Sequence, residues 1–140
     1  MVTLTKPYTI VELTDAHDFS EMEFGKGNSN SKAHGFLDEQ GKCIAYAWYS
    51  VNNHSLSMDM IEVLEKEQGH GTAIVQFLFN ELNLNRMEGL VLKDSSLRPY
   101  YFWLSLGSTM DVADEDEFME YFRQGLDVDF ELTRENLARP

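Results

Sequence analysis

Cysteine is almost absent from the chain of 140 residues. Cys43 alone cannot close an intrachain disulfide and lacks the companions of a thiolate zinc site, so a reduced, cytoplasmic protein without a metal is expected. Proline is also scarce, at three residues. No Pro-rich linker, repeat or low-complexity run divides the chain, which points to a single domain over residues 1–140. No window approaches the ~18 consecutive apolar residues of a bilayer span. The opening MVTLTKPYTIVEL shows no basic-then-apolar leader, so an unexported protein with no membrane partner is expected. Basic residues are outnumbered, 11 Lys and Arg against 24 Asp and Glu, giving a formal net charge of −13. Such a field repels phosphate backbones and attracts cations, which argues against nucleic acid as a partner. Ten of the acids and only three of the bases fall between Asp111 and Pro140. This stretch reads either as a solvated surface that keeps the protein dispersed or as a funnel for an amine-bearing substrate.

What is present suits a packed globule. Hydrophobic residues make up 43%, with nine Phe, six Tyr and two Trp, and a chain of this size can bury roughly 70% of its unfolded surface. Tyr8 to Leu13 alternates and reads as a first strand, and Asp15 is placed to cap a short helix to about Phe24. Gly25 to Lys32 has the Gly, Asn and Ser density of a loop. Ala33 to Leu37 and Cys43 to Val51 form two strands joined by a turn at Asp38 to Gly41. Ser55 to Val63 is a fourth strand, with Leu56, Met58 and Met60 expected on one face and Ile61 and Val63 on the other. Ile74, Val75, Leu78, Phe79 and Leu82 recur at helical steps, giving a helix from Thr72 to Leu82. Gly89 to Leu92 reads as a short strand. Ser95 or Ser96 can cap a second helix, which tolerates Pro99 in its first turn and ends at Gly107. Asp114 and Glu117 form a capping box for an acidic helix to about Gln124, stopped by Gly125. Leu126 to Leu132 alternates as a last strand, so residues 111–134 make an acidic helix and strand. The class is mixed α/β.

The segment joining the fourth strand to the first secure helix reads Met60 to Ala73, with Gly69 and Gly71 just ahead of the helix. Glycines there let several main-chain N–H groups converge, and with the helix dipole they suit a diphosphate. The Lys-Ser/Thr pair of nucleotide hydrolases is missing, and Ile74 stands where a dinucleotide fingerprint needs its third glycine. A plain structural turn remains the alternative at this stage.

Gln68-Gly69-His70-Gly71-Thr72-Ala73 resembles the Q/R-x-x-G-x-G/A motif of the GNAT superfamily of acetyl-CoA-dependent N-acetyltransferases. The valine that this family places five residues before its motif is met by Val63. Ser96 to Gly107 is similar to the family's N-x-x-A-x-x-F-Y-x-x-L-G helix at Phe102, Leu106 and Gly107, while Ser96, Pro99 and Trp103 replace its Asn, Ala and Tyr. The resemblance implies a mixed sheet with splayed central strands and acetyl-CoA as cosubstrate. It implies the diphosphate on Gly69 to Ala73 beside Gln68, and the pantetheine arm against main chain of Ile61 and Val63. It also implies Ser96 and Trp103 beside the cofactor, and the Val63 N–H as donor to the thioester carbonyl.

Transfer to a primary amine needs that amine neutral, and its pKa near 10 leaves it mostly charged at pH 7. Glu62 is the first candidate for the base, with Asp59 the runner-up three residues earlier; either carboxylate would equally serve as an ion-pair partner. Trp103 stands where the family commonly has the tyrosine that protonates the thiolate, and Tyr100, one turn earlier, is the substitute acid, against a packing role. His17, His34, His54 and His70 share no metal-ligand spacing. The short stretch from Thr14 to Lys32 predicts an open cleft, suited to a peptide amine or a small polycation. The acidic helix would line that cleft or cover a sheet edge and support a homodimer. The rival readings are a non-catalytic CoA-binding module of the same fold and an acidic interaction protein with no ligand.

Overall fold

A computed structural model describes residues 8–13, 32–64, 69–91 and 96–137. Among them the strands are β1 (Thr9–Glu12), β2 (Lys32–Leu37), β3 (Cys43–Asn52), β4 (Ser55–Val63), β5 (Arg86–Leu90), β6 (Thr109–Met110) and β7 (Asp129–Thr133). The helices are α1 (His70–Glu81), α2 (Arg98–Leu106) and α3 (Glu115–Gln124). The expected helix from Asp15 to Phe24 and the loop from Gly25 to Ser31 lie outside the described residues, as do Gln68 and Leu92.

The strands form one sheet in the order β1-β2-β3-β4-β5-β7-β6. Every neighbouring pair is antiparallel except β4 and β5, which run parallel because α1 crosses between them. The β2–β3 hairpin closes as its Asp and Gly predict: the amides of Gln40 and Lys42 both donate to Asp38 Oδ1 at 2.9 Å, and Gly41 takes φ 81°.

Helix α1 buries the stripe expected of it, with Ile74, Val75, Leu78 and Phe79 all 0% exposed against Leu56, Met58 and Met87. Each such side chain contributes about 1.5–3 kcal/mol of burial. Tyr100, Trp103 and Leu106 of α2 and Phe118 of α3 join the same core. Asp114 caps α3 by accepting from Glu117 N at 2.9 Å, and Gly125 ends it at φ 70°. The Tyr101 hydroxyl donates to Glu115 and ties α2 to α3. Arg134, beyond β7, donates to the carbonyls of Leu84 at 2.7 Å and Phe79 at 2.6 Å and closes the C-terminal end of α1.

Three expectations change. First, β5 begins at Arg86 rather than Gly89: Arg86 and Glu88 stand on its open face, paired with each other at 2.5 Å, so the strand alternates instead of running apolar. Second, β7 starts at Asp129 rather than Leu126, and the two-residue β6, too short for any periodic signal, pairs beside it. Third, the faces of β4 differ. Tyr49 pairs with Met58 and Trp48 with Met60, leaving Asp59 as the extra residue of a β-bulge. The bulge reverses the alternation, so Ile61 and Val63 share the helix-side core with Leu56 and Met58, while Met60 packs with Ala33, Tyr46 and Trp48 behind the sheet.

Candidate functional site

The parallel ladder between β4 and β5 runs from Ser55↔Arg86 to Met58↔Gly89 and ends there. Beyond it β4 stays with β3 as far as Ala45↔Val63, and Leu64 N donates to Ile44 O at 2.8 Å. Main-chain polar groups alternate sides along a strand, so if Leu64 turns its N–H to β3, Val63 and Ile61 turn theirs away, toward the β5 side. Strand β5 meanwhile leaves in the opposite direction, with Leu90 opposite Asp129 and Val91 N donating to Val128 O at 2.8 Å. The two central strands part, and the edge of β4 that faces the gap carries the N–H and C=O of Ile61 and Val63.

The N-terminus of α1 follows this edge. Gly69 occupies the N-cap at φ 75°, a conformation favourable to glycine, and among the described residues no side chain caps the helix there. The first turn carries no acid, and its first intrahelical bond runs from Ala73 N to Gly69 O at 3.1 Å. The N–H groups of His70, Gly71 and Thr72 precede that bond and point out of the helix end, where the dipole favours an anion. Gly71 is buried, and a β-carbon on it would meet Phe102 at 2.7 Å and Val63 at 3.5 Å. This glycine therefore lets α1 pack against α2 and the end of β4, a role that its spacing alone did not reveal. Thr72 and Ala73 are half-buried. The His70 ring lies within hydrogen-bond reach of the Tyr8 hydroxyl, Nδ1 to O 3.2 Å.

The other sequence candidates are distributed around this point. Glu62 is 5% exposed and pairs across the ladder with Tyr46, so it stands on the face shared by Trp48 and Met60. Tyr100 is buried in the helix-side core, its ring 5.4 Å from Phe118. Trp103 is 3% exposed and stacks on Phe130 at 3.8 Å. Leu97, not Ser96, is the N-cap of α2 and brings no side-chain cap; Ser96 Oγ accepts from Arg98 N at 3.2 Å in a local turn one residue before it. The structure thus brings Val63, Gly69 to Ala73 and Phe102 together, and holds Glu62 and Tyr100 on different faces of the sheet.

An open trough of about 610 Å³ crosses the sheet where β4 and β5 part. Its lining includes the carboxylates Asp59, Glu88, Asp111, Asp129 and Glu131, drawn from β4, β5, β7 and the end of β6. Arg86 pairs with Glu88 at 2.5 Å and with Glu131 at 2.6 Å. Sequence reasoning missed this grouping because its members come from separate strands; the alternating acids of Asp127 to Glu131 were the available signal. Among the described residues no cluster of His, Cys, Asp and Glu could hold a metal, and no helix is long and apolar enough to cross a membrane.

No protein-family model matches the chain, and no curated protein matches it. Solved structures do. An acetyltransferase of Bacillus subtilis in complex with CoA is 13% identical with a TM-score of 0.59, over 91% of this chain and 99% of that one. A GNAT family acetyltransferase from Elizabethkingia anophelis with acetyl-CoA bound is 12% identical with a TM-score of 0.58, over 90% and 97%. At such identities the likeness defines the fold: the chain has the mixed α/β fold of GNAT acyl-CoA N-acyltransferases, as the Gln68 to Ala73 motif implied.

Proposed function

We propose that the protein is an acetyl-CoA-dependent N-acetyltransferase that passes the acetyl group directly to a primary amine. The observation that carries this reading is the early end of the β4–β5 ladder at Met58 and Gly89, next to the N-terminus of α1 that Gly69 opens. The residues there fit an extended, amide-bearing thioester carrier: Gly69 to Ala73, with Gln68 before them, suit its diphosphate, and the turned-out groups of Ile61 and Val63 suit its amides. Acetyl-CoA would supply the activated acyl group. Val63 N–H would polarise the thioester carbonyl and Glu62 would take the ammonium proton; Tyr100, the acid expected from the sequence, is buried against Phe118 on the other face of the sheet, so the departing thiolate would take its proton from solvent. Ser96 would flank the carrier at the start of α2, while Trp103, expected beside it from the sequence, is instead buried in the core on Phe130. The carboxylate-lined trough supports an amine as acceptor, since Asp59, Asp111 and Asp129 favour a cation at the mouth of the gap. A peptide amine and a small polyamine both suit so open a surface.

One observation favours a second reading, a CoA-binding module without catalysis: Trp103, in the position where the family commonly has tyrosine, stacks into the core on Phe130. Thermal unfolding with acetyl-CoA tests the shared part, because a ligand at 100 times its dissociation constant adds about 2.7 kcal/mol. No shift overturns both readings. Thiol release with peptide amines and polyamines then decides between them: turnover supports the transferase, and binding without release supports the module.

A further inference from the structure

We propose that Tyr8 is a positioning residue for the anion-binding turn, acting through its hydrogen bond to His70. This rests on the acetyl-CoA reading above. Tyr8 lies just ahead of β1, at the edge of the sheet far from the parting strands, yet its ring reaches α1. It is 7% exposed, set edge-on to Phe77 at 5.6 Å and to His70 at 6.3 Å. His70 and Phe77 lie two helical turns apart on one stripe of α1, so the tyrosine ring runs along that stripe and its hydroxyl ends at the first turn. There it lies 3.2 Å from His70 Nδ1. Burial pushes the Tyr8 phenol above its ordinary value, so the hydroxyl keeps a proton to donate through the neutral range.

A hydroxyl that donates to Nδ1 leaves the ring proton on Nε2, and so decides which edge of the imidazole can donate in turn. His70 opens α1 beside Gly69, which has no side chain. Its ring is therefore the side chain that Tyr8 can fix at the point where the main-chain donors emerge. With Nε2 protonated, the imidazole adds one side-chain donor for a diphosphate to the N–H groups of the turn. Phe77 supports the tyrosine ring whether or not the hydroxyl is present, which separates packing from positioning.

The test compares affinity for acetyl-CoA with affinity for acetyl-pantetheine, which lacks the diphosphate, in wild type, Tyr8→Phe, His70→Ala and the double variant. Tyr8→Phe keeps the ring, and its unliganded melting curve checks that the fold is intact. Loss of one hydrogen bond predicts about a 2- to 10-fold weaker grip on acetyl-CoA, no change for acetyl-pantetheine, and a double variant no weaker than His70→Ala alone. Equal weakening for both carriers, unchanged acetyl-CoA affinity or additive losses in the double variant would overturn the role of Tyr8. Nitrogen-15 spectra showing the His70 proton on Nδ1 would do the same. If the wild type binds neither carrier, the proposed function itself has failed, and that is visible before any Tyr8 variant is made.

Discussion

The carbonyl oxygen of Met58 lies against the α-carbon of Gly89, so closely that a β-carbon on Gly89 would stand 1.9 Å from that oxygen and 3.1 Å from the Phe130 ring. The two residues are the last register pair of the parallel ladder. Asp59, the extra residue of the β4 bulge, follows Met58 directly. A bulge bends the strand that carries it, and only a residue without a side chain accommodates the main chain that the bend presses toward β5. The place where Met58 presses on Gly89 is thus also the place where the strands begin to part.

Gly89→Ala is expected to lower stability by about 1–3 kcal/mol, the cost of forcing atoms into a filled space where the obstruction is main chain. Gly35→Ala is the control, because a β-carbon there meets Val11, Cys43 and Leu13 at 3.4–3.5 Å, ordinary contact distances. Urea denaturation of both variants checks this. Equal losses would show that the Met58 contact is not the cause.

Gly71→Ala should also destabilise, by about 1–3 kcal/mol, although alanine is the better helix former. The added methyl meets the Phe102 ring at 2.7 Å, so a second change to Phe102→Leu is expected to restore part of the loss. Chemical denaturation of the single and double variants measures the coupling. Strict additivity would mean that the two residues do not press on each other.

The order of elements was legible because period and punctuation agreed over most of the chain. The stripe from Ile74 to Phe79, the Asp114 cap and the glycines at 41, 107 and 125 each act locally, and each is found where its chemistry places it. The glycine turn ahead of α1 was legible for the same reason, since Gly69 and Gly71 adjoin the helix they open. What was hidden depends on contacts between distant segments. The bulge at Asp59 shows only against the register of β3, and the need for Gly71 only against Phe102. The trough gathers acids from strands that are not neighbours in sequence, and β6 owes its two-residue pairing to β7.

Glu62→Gln tests the base. Removing a general base typically costs about 10²- to 10⁴-fold in rate, and amide for carboxylate keeps the shape of this 5% exposed side chain. Turnover followed by thiol release should fall by that factor while acetyl-CoA affinity stays within about twofold of wild type. Undiminished turnover would remove Glu62 from the chemistry and turn attention to Asp59 at the bulge.

Stability should fall on both sides of neutrality through one stacked pair. The His34 ring lies 3.9 Å from that of Tyr49, at 12° to parallel, and its Nδ1 is buried without a hydrogen-bond partner among the described residues. Burial is the main influence on both groups: it lowers the imidazole below its ordinary 6.5 and pushes the phenol up to about 12. Above pH 6.5 the imidazole is neutral folded or unfolded, and its contribution is complete. As the pH drops past 6.5 the unfolded chain binds a proton that the folded chain resists, and stability is lost until the lower folded value is passed. The phenol behaves in the opposite sense: its contribution is complete below pH 10 and is lost as the pH climbs from 10 toward 12. Melting temperature against pH should therefore lose part of its acid limb in His34→Phe and part of its alkaline limb in Tyr49→Phe, since phenylalanine keeps the stack in each case. An acid limb unchanged in His34→Phe would assign the loss to the carboxylates of this acidic chain instead.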